Sequence, residues 1–290
     1  MRVLAATFPA ILMTLWGFTV APAREMLIGD GDLVGTVNRY LVVKDDSLIE
    51  IARTFGLGYN EITDANPGMD PFIPRPGKVI PLPLSWILPN APRNRGIVIN
   101  LSEMRLYYFP AGDAKSVVTY PIGIGDEGSE TPVGTFRVTE KRIAPAWKVP
   151  DSIRRHDPRL PRVVPPGPDN PLGSHALRLS GGSVLIHGTN KPWGVGRKAS
   201  HGCIRLYPED IPGLFQLVQT GDRVIIVRQP VKIGLNKGRV FMEVHRGEQI
   251  DYVKEALRMI MARRLLHRID GAKFFRTLKE KNGMPEDISL

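Results

Sequence analysis

The chain is poor in cysteine: Cys203 is the only one among its 290 residues. That excludes an internal disulfide and the zinc sites built from paired cysteines. Long apolar runs are also missing after the first segment, so no later stretch is apolar enough to span a membrane. Acidic charge is in short supply too. Lys and Arg total 39 against 29 Asp and Glu, for a net charge of +10. A basic surface suits nucleic acid, membrane headgroups or the acidic polymers of a cell envelope, and does not choose among them. Apolar residues make up 42%, and the length leaves room for two domains and a substantial core.

The first segment selects a compartment. Arg2 precedes Val3 to Val20, which carries no charge, and Ala21-Pro22-Ala23 offers a small-x-small cleavage pattern before Arg24 and Glu25. This reads as a signal peptide over 1–23, with an uncleaved anchor as the alternative. An exported chain argues against nucleic acid as the partner. A leftover cysteine in an exported protein is either an intermolecular bridge or a reactive thiol. Here it sits in Ser200-His201-Gly202-Cys203-Ile204-Arg205, and His187 lies upstream in Ile186-His187-Gly188-Thr189. Histidines nearby favour the reactive thiol, because a base generates the nucleophilic thiolate.

Residues 38–84 read as a compact strand-helix-helix-strand unit. Tyr40-Leu41-Val42-Val43 is extended in composition, and Ser47-Leu48-Ile49-Glu50 is a capping box. Leu48, Ile51, Ala52 and Phe55 follow at helical spacing up to Gly56, and a second short helix runs from Glu61 to Asn66. The motifs Asp46-Ser47-Leu48, Ile51-Ala52, Phe55-Gly56, Ala65-Asn66-Pro67 and Pro76-Gly77 closely resemble the lysin motif (LysM). The resemblance implies a shallow groove for the glycan of peptidoglycan or chitin. Asp45 stands where that family usually has Gly. The module also has a purely structural reading, as a unit that packs against its neighbour.

From Gly96 to Arg228 short strands predominate, among them Ile97–Leu101, Arg105–Phe109, Val117–Tyr120, Gly134–Val138, Ser183–Ile186 and Arg223–Val227, the pattern of a sandwich or barrel. Prolines crowd Ala144 to Pro171, which bars a central strand there and suits a lid. A cysteine acyl-transfer site needs a base, an acceptor that orients the base, and donors for the oxyanion. His187 follows an apolar strand, Gly202 lets the backbone turn and expose N–H groups, and the Gly188 carbonyl can orient the histidine. Spacing does not decide whether His187 or His201 is the base. A metal site of His187, His201 and Cys203 is the rival, short of a fourth ligand.

His187-Gly188-Thr189-Asn190, Ser200 to Leu206, Thr131-Pro132-Val133-Gly134-Thr135-Phe136 and Asn100-Leu101 with Arg105-Leu106-Tyr107 resemble the L,D-transpeptidase catalytic domain. The expected fold is mainly β: a β-sandwich catalytic domain over 96–228, a small βααβ LysM module before it, and a C-terminal extension over 229–290 with a basic helix. The resemblance implies Cys203 as nucleophile, His187 as base oriented by Gly188, and oxyanion donors from Gly202 and Cys203. Ser200 and His201 shape the site, while Arg205, Trp147 and Thr189 contact substrate; no metal or cofactor takes part. The implied reaction is acyl transfer from peptidoglycan tetrapeptide stems in the periplasm. An amine acceptor gives 3→3 crosslinks or attaches an envelope lipoprotein, and water gives hydrolysis. A non-catalytic peptidoglycan-binding scaffold is the reading from another class. The tail from Asp251 to Lys281 has an imperfect helical pattern, interrupted by Arg264 on its apolar face.

Overall fold

The computed structural model describes residues 24–290 apart from Ala114, and the leader read at 1–23 lies outside the described residues. Branched and aromatic residues make three antiparallel strands, Gly96–Asn100, Arg105–Phe109 and Ser116–Pro121, as their composition favours. Every residue of the three is buried, so both faces are covered. Alternation along the strands explains how. Ile97, Ile99, Leu106, Tyr108, Val118 and Tyr120 join one core with Leu177, Ile186, Ile204 and Leu214. Val98, Tyr107, Phe109 and Val117 join another with Leu48, Ile51, Ile62, Leu82 and Trp86 of the preceding unit.

These strands lie within one nine-stranded sheet. Its order is Arg24–Leu27, Ser116–Pro121, Arg105–Phe109, Gly96–Asn100, Arg223–Val227, Gly134–Ile143, His175–Leu179, Leu185–His187 and Ile204–Arg205. Pairing is parallel between 96–100 and 223–227 and between 185–187 and 204–205, and antiparallel elsewhere. Residues 24–27 supply the edge strand.

The LysM unit has the expected order: the Asn38–Leu41 strand, helix α1 (Leu48–Thr54), helix α2 (Tyr59–Ala65) and the Val79–Leu82 strand. Ser47 Oγ accepts from Glu50 N at 3.2 Å, and Gly56 with φ +65° ends the first helix. Asp45 adopts φ +68°, so the turn keeps the left-handed geometry that glycine serves elsewhere, a region Asp enters more readily than most residues with a side chain.

The unit is docked rather than tethered. Glu61 of α2 accepts from Arg105 Nε and Nη2, both at 2.7 Å, and from Trp86 Nε1 at 2.9 Å. The Arg105 guanidinium lies 4.0 Å from the Trp86 ring centroid. Arg53 of α1 pairs with Glu209, and the Tyr207 hydroxyl donates to the Leu57 carbonyl. Backbones meet at Gly196 (φ +78°), where a Cβ would come 2.1 Å from Tyr59 N.

Between 144 and 171 the proline-rich stretch forms a two-stranded ribbon, Trp147–Lys148 with Val163–Val164, around short helix α3 (Asp151–His156). Helix α4 (Ile211–Leu217) backs the sheet through Ile211 and Leu214.

The C-terminal extension is more than a basic helix. Strands Val231–Asn236, Arg239–Val244 and Glu286–Asp287 form a sheet. Helices α5 (Tyr252–Ala262) and α6 (Gly271–Glu280) close over a separate core of Val231, Ile233, Met242, Ala256, Ile260, Phe274 and Leu278. The single helix expected over 251–281 breaks at Arg264, whose φ is +56°. Buried Lys232 anchors the extension, reaching Glu103 at 2.6 Å, Glu243 at 2.7 Å and the Ile87 carbonyl at 2.7 Å. No helix among the described residues is long and apolar enough to cross a membrane.

Candidate active site

Sheet register brings the signature residues together. Ile186 pairs with Ile204 and His187 with Arg205 across two parallel strands. Ile186 and Ile204 point into the core. Their neighbours His187, Arg205 and, directly before the strand, Cys203 therefore share the opposite face. The same parity continues outward, with Ala176 opposite His187 and Arg178 opposite Leu185. It then reaches Glu140 opposite Arg178 and Arg142 opposite Ala176, past a bulge between Val138 and Glu140. This face is the floor of a cavity of about 240 Å³. Trp147, Pro150 and Ile153 from the proline-rich stretch line it as well.

His187 is buried, 3% exposed, and its Nδ1 lies 2.5 Å from the Gly188 carbonyl. A carbonyl only accepts, so Nδ1 carries the proton and Nε2 keeps the lone pair of the neutral ring. Burial, with Arg205 nearby, depresses its pKa to about 4 against the pull of the Gly188 and Leu172 carbonyls. The half-buried Cys203 thiol is pushed up by burial, while the Leu185 N–H, Arg205 and Arg178 act the other way. At neutral pH the two residues thus rest as a thiol, directed at the Ser183 carbonyl at 3.8 Å, and a neutral imidazole on the same face.

The other expected residues divide. Ser200 is buried beneath the cavity and its hydroxyl donates to the Cys203 carbonyl, fixing the turn. Gly202 has φ +93°, and its carbonyl accepts from Thr131 Oγ1 at 3.2 Å. The N–H groups of Gly202 and Cys203 donate to no acceptor among the described residues. His201 is exposed at the rim, and Trp147 lines the wall. Thr189 is not brought to the cavity: it is buried, and its hydroxyl accepts from Lys191 N at 2.9 Å. Arg205 is mostly buried, makes no ion pair among the described residues, and its Nε has no hydrogen-bond partner. Burial lowers its pKa from the usual guanidinium value.

Sequence reasoning missed Glu140, Arg142 and Arg178, whose place on the floor depends on strand register and a bulge. Glu103, Glu243 and His245 also gather polar atoms within 4.8 Å of one another. Lys232 Nζ already supplies a cation between the two carboxylates there, so the group is a buried ion cluster.

Residues 94–226 match the YkuD family, the L,D-transpeptidase catalytic domain, and residues 40–83 match the LysM domain. The probable L,D-transpeptidase YcfS of Escherichia coli K12 is 40% identical, over 92% of this chain and 86% of that protein. The probable L,D-transpeptidase ErfK/SrfK of Salmonella typhimurium LT2 is 36% identical, over 100% of this chain and 98% of its own length. Among solved structures, the catalytic domain of the Enterococcus faecium L,D-transpeptidase is 23% identical. It covers 47% of this chain and 99% of that one, with a TM-score of 0.37.

Proposed function

Since the chain belongs to the L,D-transpeptidase family and carries a LysM domain, we propose that it is a periplasmic acyltransferase working through a thioester on Cys203. Its acyl donor is the tetrapeptide stem of peptidoglycan. The arrangement of Cys203 and His187 on one cavity face, with His187 Nδ1 tied to Gly188, carries this reading. Cys203 Sγ attacks the carbonyl of the third, L-centre residue while His187 Nε2 takes the thiol proton. The free N–H groups of Gly202 and Cys203 receive the oxyanion. The C–N bond then breaks, His187 returns the proton to the departing amine, and the terminal D-amino acid leaves.

The second half runs in reverse with a new amine. It attacks the thioester, gives a proton to His187, forms an amide and releases the thiol. A side-chain amine of another stem gives a 3→3 crosslink, and a lipoprotein lysine attaches that protein to the wall. Arg205, charged and with no ion-pair partner among the described residues, is suited to the carboxylate of the departing D-amino acid. The LysM module holds the glycan strand. Its docking on the sheet serves this role, because a fixed module presents a stem to the cavity at a set distance.

Mass spectrometry of residues 24–290 incubated with a disaccharide-tetrapeptide tests the reading. A thioester adduct on Cys203 followed by 3→3 dimers is the expected result. Tripeptide without dimers assigns water as the acceptor, and no adduct at all contradicts the assignment and favours a binding scaffold.

A further inference from the structure

Arg178 lies in the same register row as Cys203, with Leu185 between them, so about two strand spacings of ~4.8 Å separate their backbones. It lines the cavity with Cys203 and Arg205. Its Nε donates to Glu140 Oε2 at 3.2 Å, and its two Nη groups have no hydrogen-bond partner among the described residues. Glu140 is shared, since its other oxygen accepts from Arg142. Two guanidinium groups thus divide one carboxylate, and Arg205 adds a third cation with none. The floor of the cavity carries more positive charge than its own acids neutralise. Among the described residues that line the cavity Glu140 is the one acid, and the proline-rich stretch adds the cation of Lys148. A guanidinium steered through Nε presents its Nη pair as a fork, the geometry that fits a carboxylate with two parallel bonds.

Resting on the transpeptidase reading above, we propose that Arg178 is a specificity-determining residue that holds a carboxylate of the donor stem, selecting stems in which that group is free over stems in which it is amidated. Arg205, next to the nucleophile on its own strand, is placed for the leaving residue. Arg178, two strands away, is placed for a carboxylate several bonds upstream of the scissile carbonyl. Two stem carboxylates have that chemistry: the side-chain carboxylate of a diaminopimelate third residue, and the α-carboxylate of a γ-linked glutamate before it. Glu140 acts as a positioning residue for the fork.

The test compares three synthetic tetrapeptide stems with wild type and Arg178→Gln. One stem has both carboxylates free, and each of the others has one of them amidated. Wild type is expected to lose about tenfold or more in kcat/KM on one amidated stem, the loss set by a charged hydrogen-bond pair. The stem that suffers identifies the carboxylate. In Arg178→Gln the free and that amidated stem converge, because the free stem falls and the other does not. The change is expected in KM more than in kcat. Complete alkylation of Cys203 by iodoacetamide in both proteins, read by mass spectrometry, checks that the variant still presents its thiol. Equal treatment of all three stems by wild type overturns the proposal, as does an equal fall on all three in the variant. Failure of wild type to turn over any stem while its thiol alkylates would instead remove the transpeptidase reading, and this assignment with it.

Discussion

The seam between the LysM module and the sheet and the cavity around Cys203 treat buried charge in opposite ways. In the Glu61–Arg105 cluster of the seam both charges are answered. Glu61 accepts from Arg105, Trp86 and the Gly58 N–H, and Arg105 also donates to Thr119 and the Gly56 carbonyl. In the cavity Arg205 and the Nη groups of Arg178 lack partners among the described residues, and the nucleophile and base are both uncharged at rest. Charge removed from water is costly unless paired. A saturated cluster therefore fixes two bodies in one geometry, while an unsaturated one holds binding capacity for a ligand that brings the missing partner.

The largest expected effect strikes the cavity alone. Cys203→Ala should lower turnover by at least about 10⁴-fold, while the thermal midpoint and glycan binding stay at wild-type values. Loss of both would break the comparison, by making the cavity part of the structural core. Glu61→Ala is its counterpart at the seam. It leaves the Arg105 side chain, 1% exposed, buried without a counter-ion. It should cost about 3–5 kcal/mol in chemical denaturation. A change within error there would mean that water reaches the seam.

Arg205→Gln should have an intermediate effect and the opposite profile. Removing a charged contact of about 1.5–3 kcal/mol should reduce kcat/KM on tetrapeptide stems roughly ten- to a hundredfold. Stability should hold or rise, because an unpaired, mostly buried charge is gone. A fall in stability would place Arg205 with the saturated groups. The smallest effect belongs to Arg53→Ala. Its pair with Glu209 is partly exposed, with side-chain exposures of 38% and 24%. Such pairs contribute about 1 kcal/mol or less, a shift to be measured by denaturation at low and high salt.

How much of this was legible in the sequence follows from the range of each interaction. The Ser47 cap, the Gly56 stop and the Cys203 signature are local, and they stand where the residues place them. His187 was expected just after a strand and is its last residue, which fixes the direction it faces. The Glu61–Arg105 pair joins residues far apart in the chain, and each alone reads as a surface charge. Only the docking of α2 on the sheet buries both. The same holds for Lys232 with Glu103 and Glu243. Arg178 escaped notice because its partners come from a neighbouring strand across a bulge, and a one-residue change of register would turn it into the core. The break at Arg264 was visible as a polar residue on an apolar stripe, but the strands that turn the extension into a packed unit were masked by the basic composition around them.

The claim that the cavity is held uncharged at its nucleophile and base is tested most directly by the pH dependence of acylation of Cys203 by a tetrapeptide stem, followed in single turnovers beside alkylation by iodoacetamide. His187 must be neutral to act, and burial depresses its pKa to about 4. Acylation should therefore persist as pH falls through 6.5 and be lost only near pH 4, while alkylation by the small reagent climbs into the alkaline range because the thiol is held up. An acid limb near 6.5, or alkylation that is already fast and flat from pH 5 upward, would reveal a preformed thiolate–imidazolium pair and contradict the account.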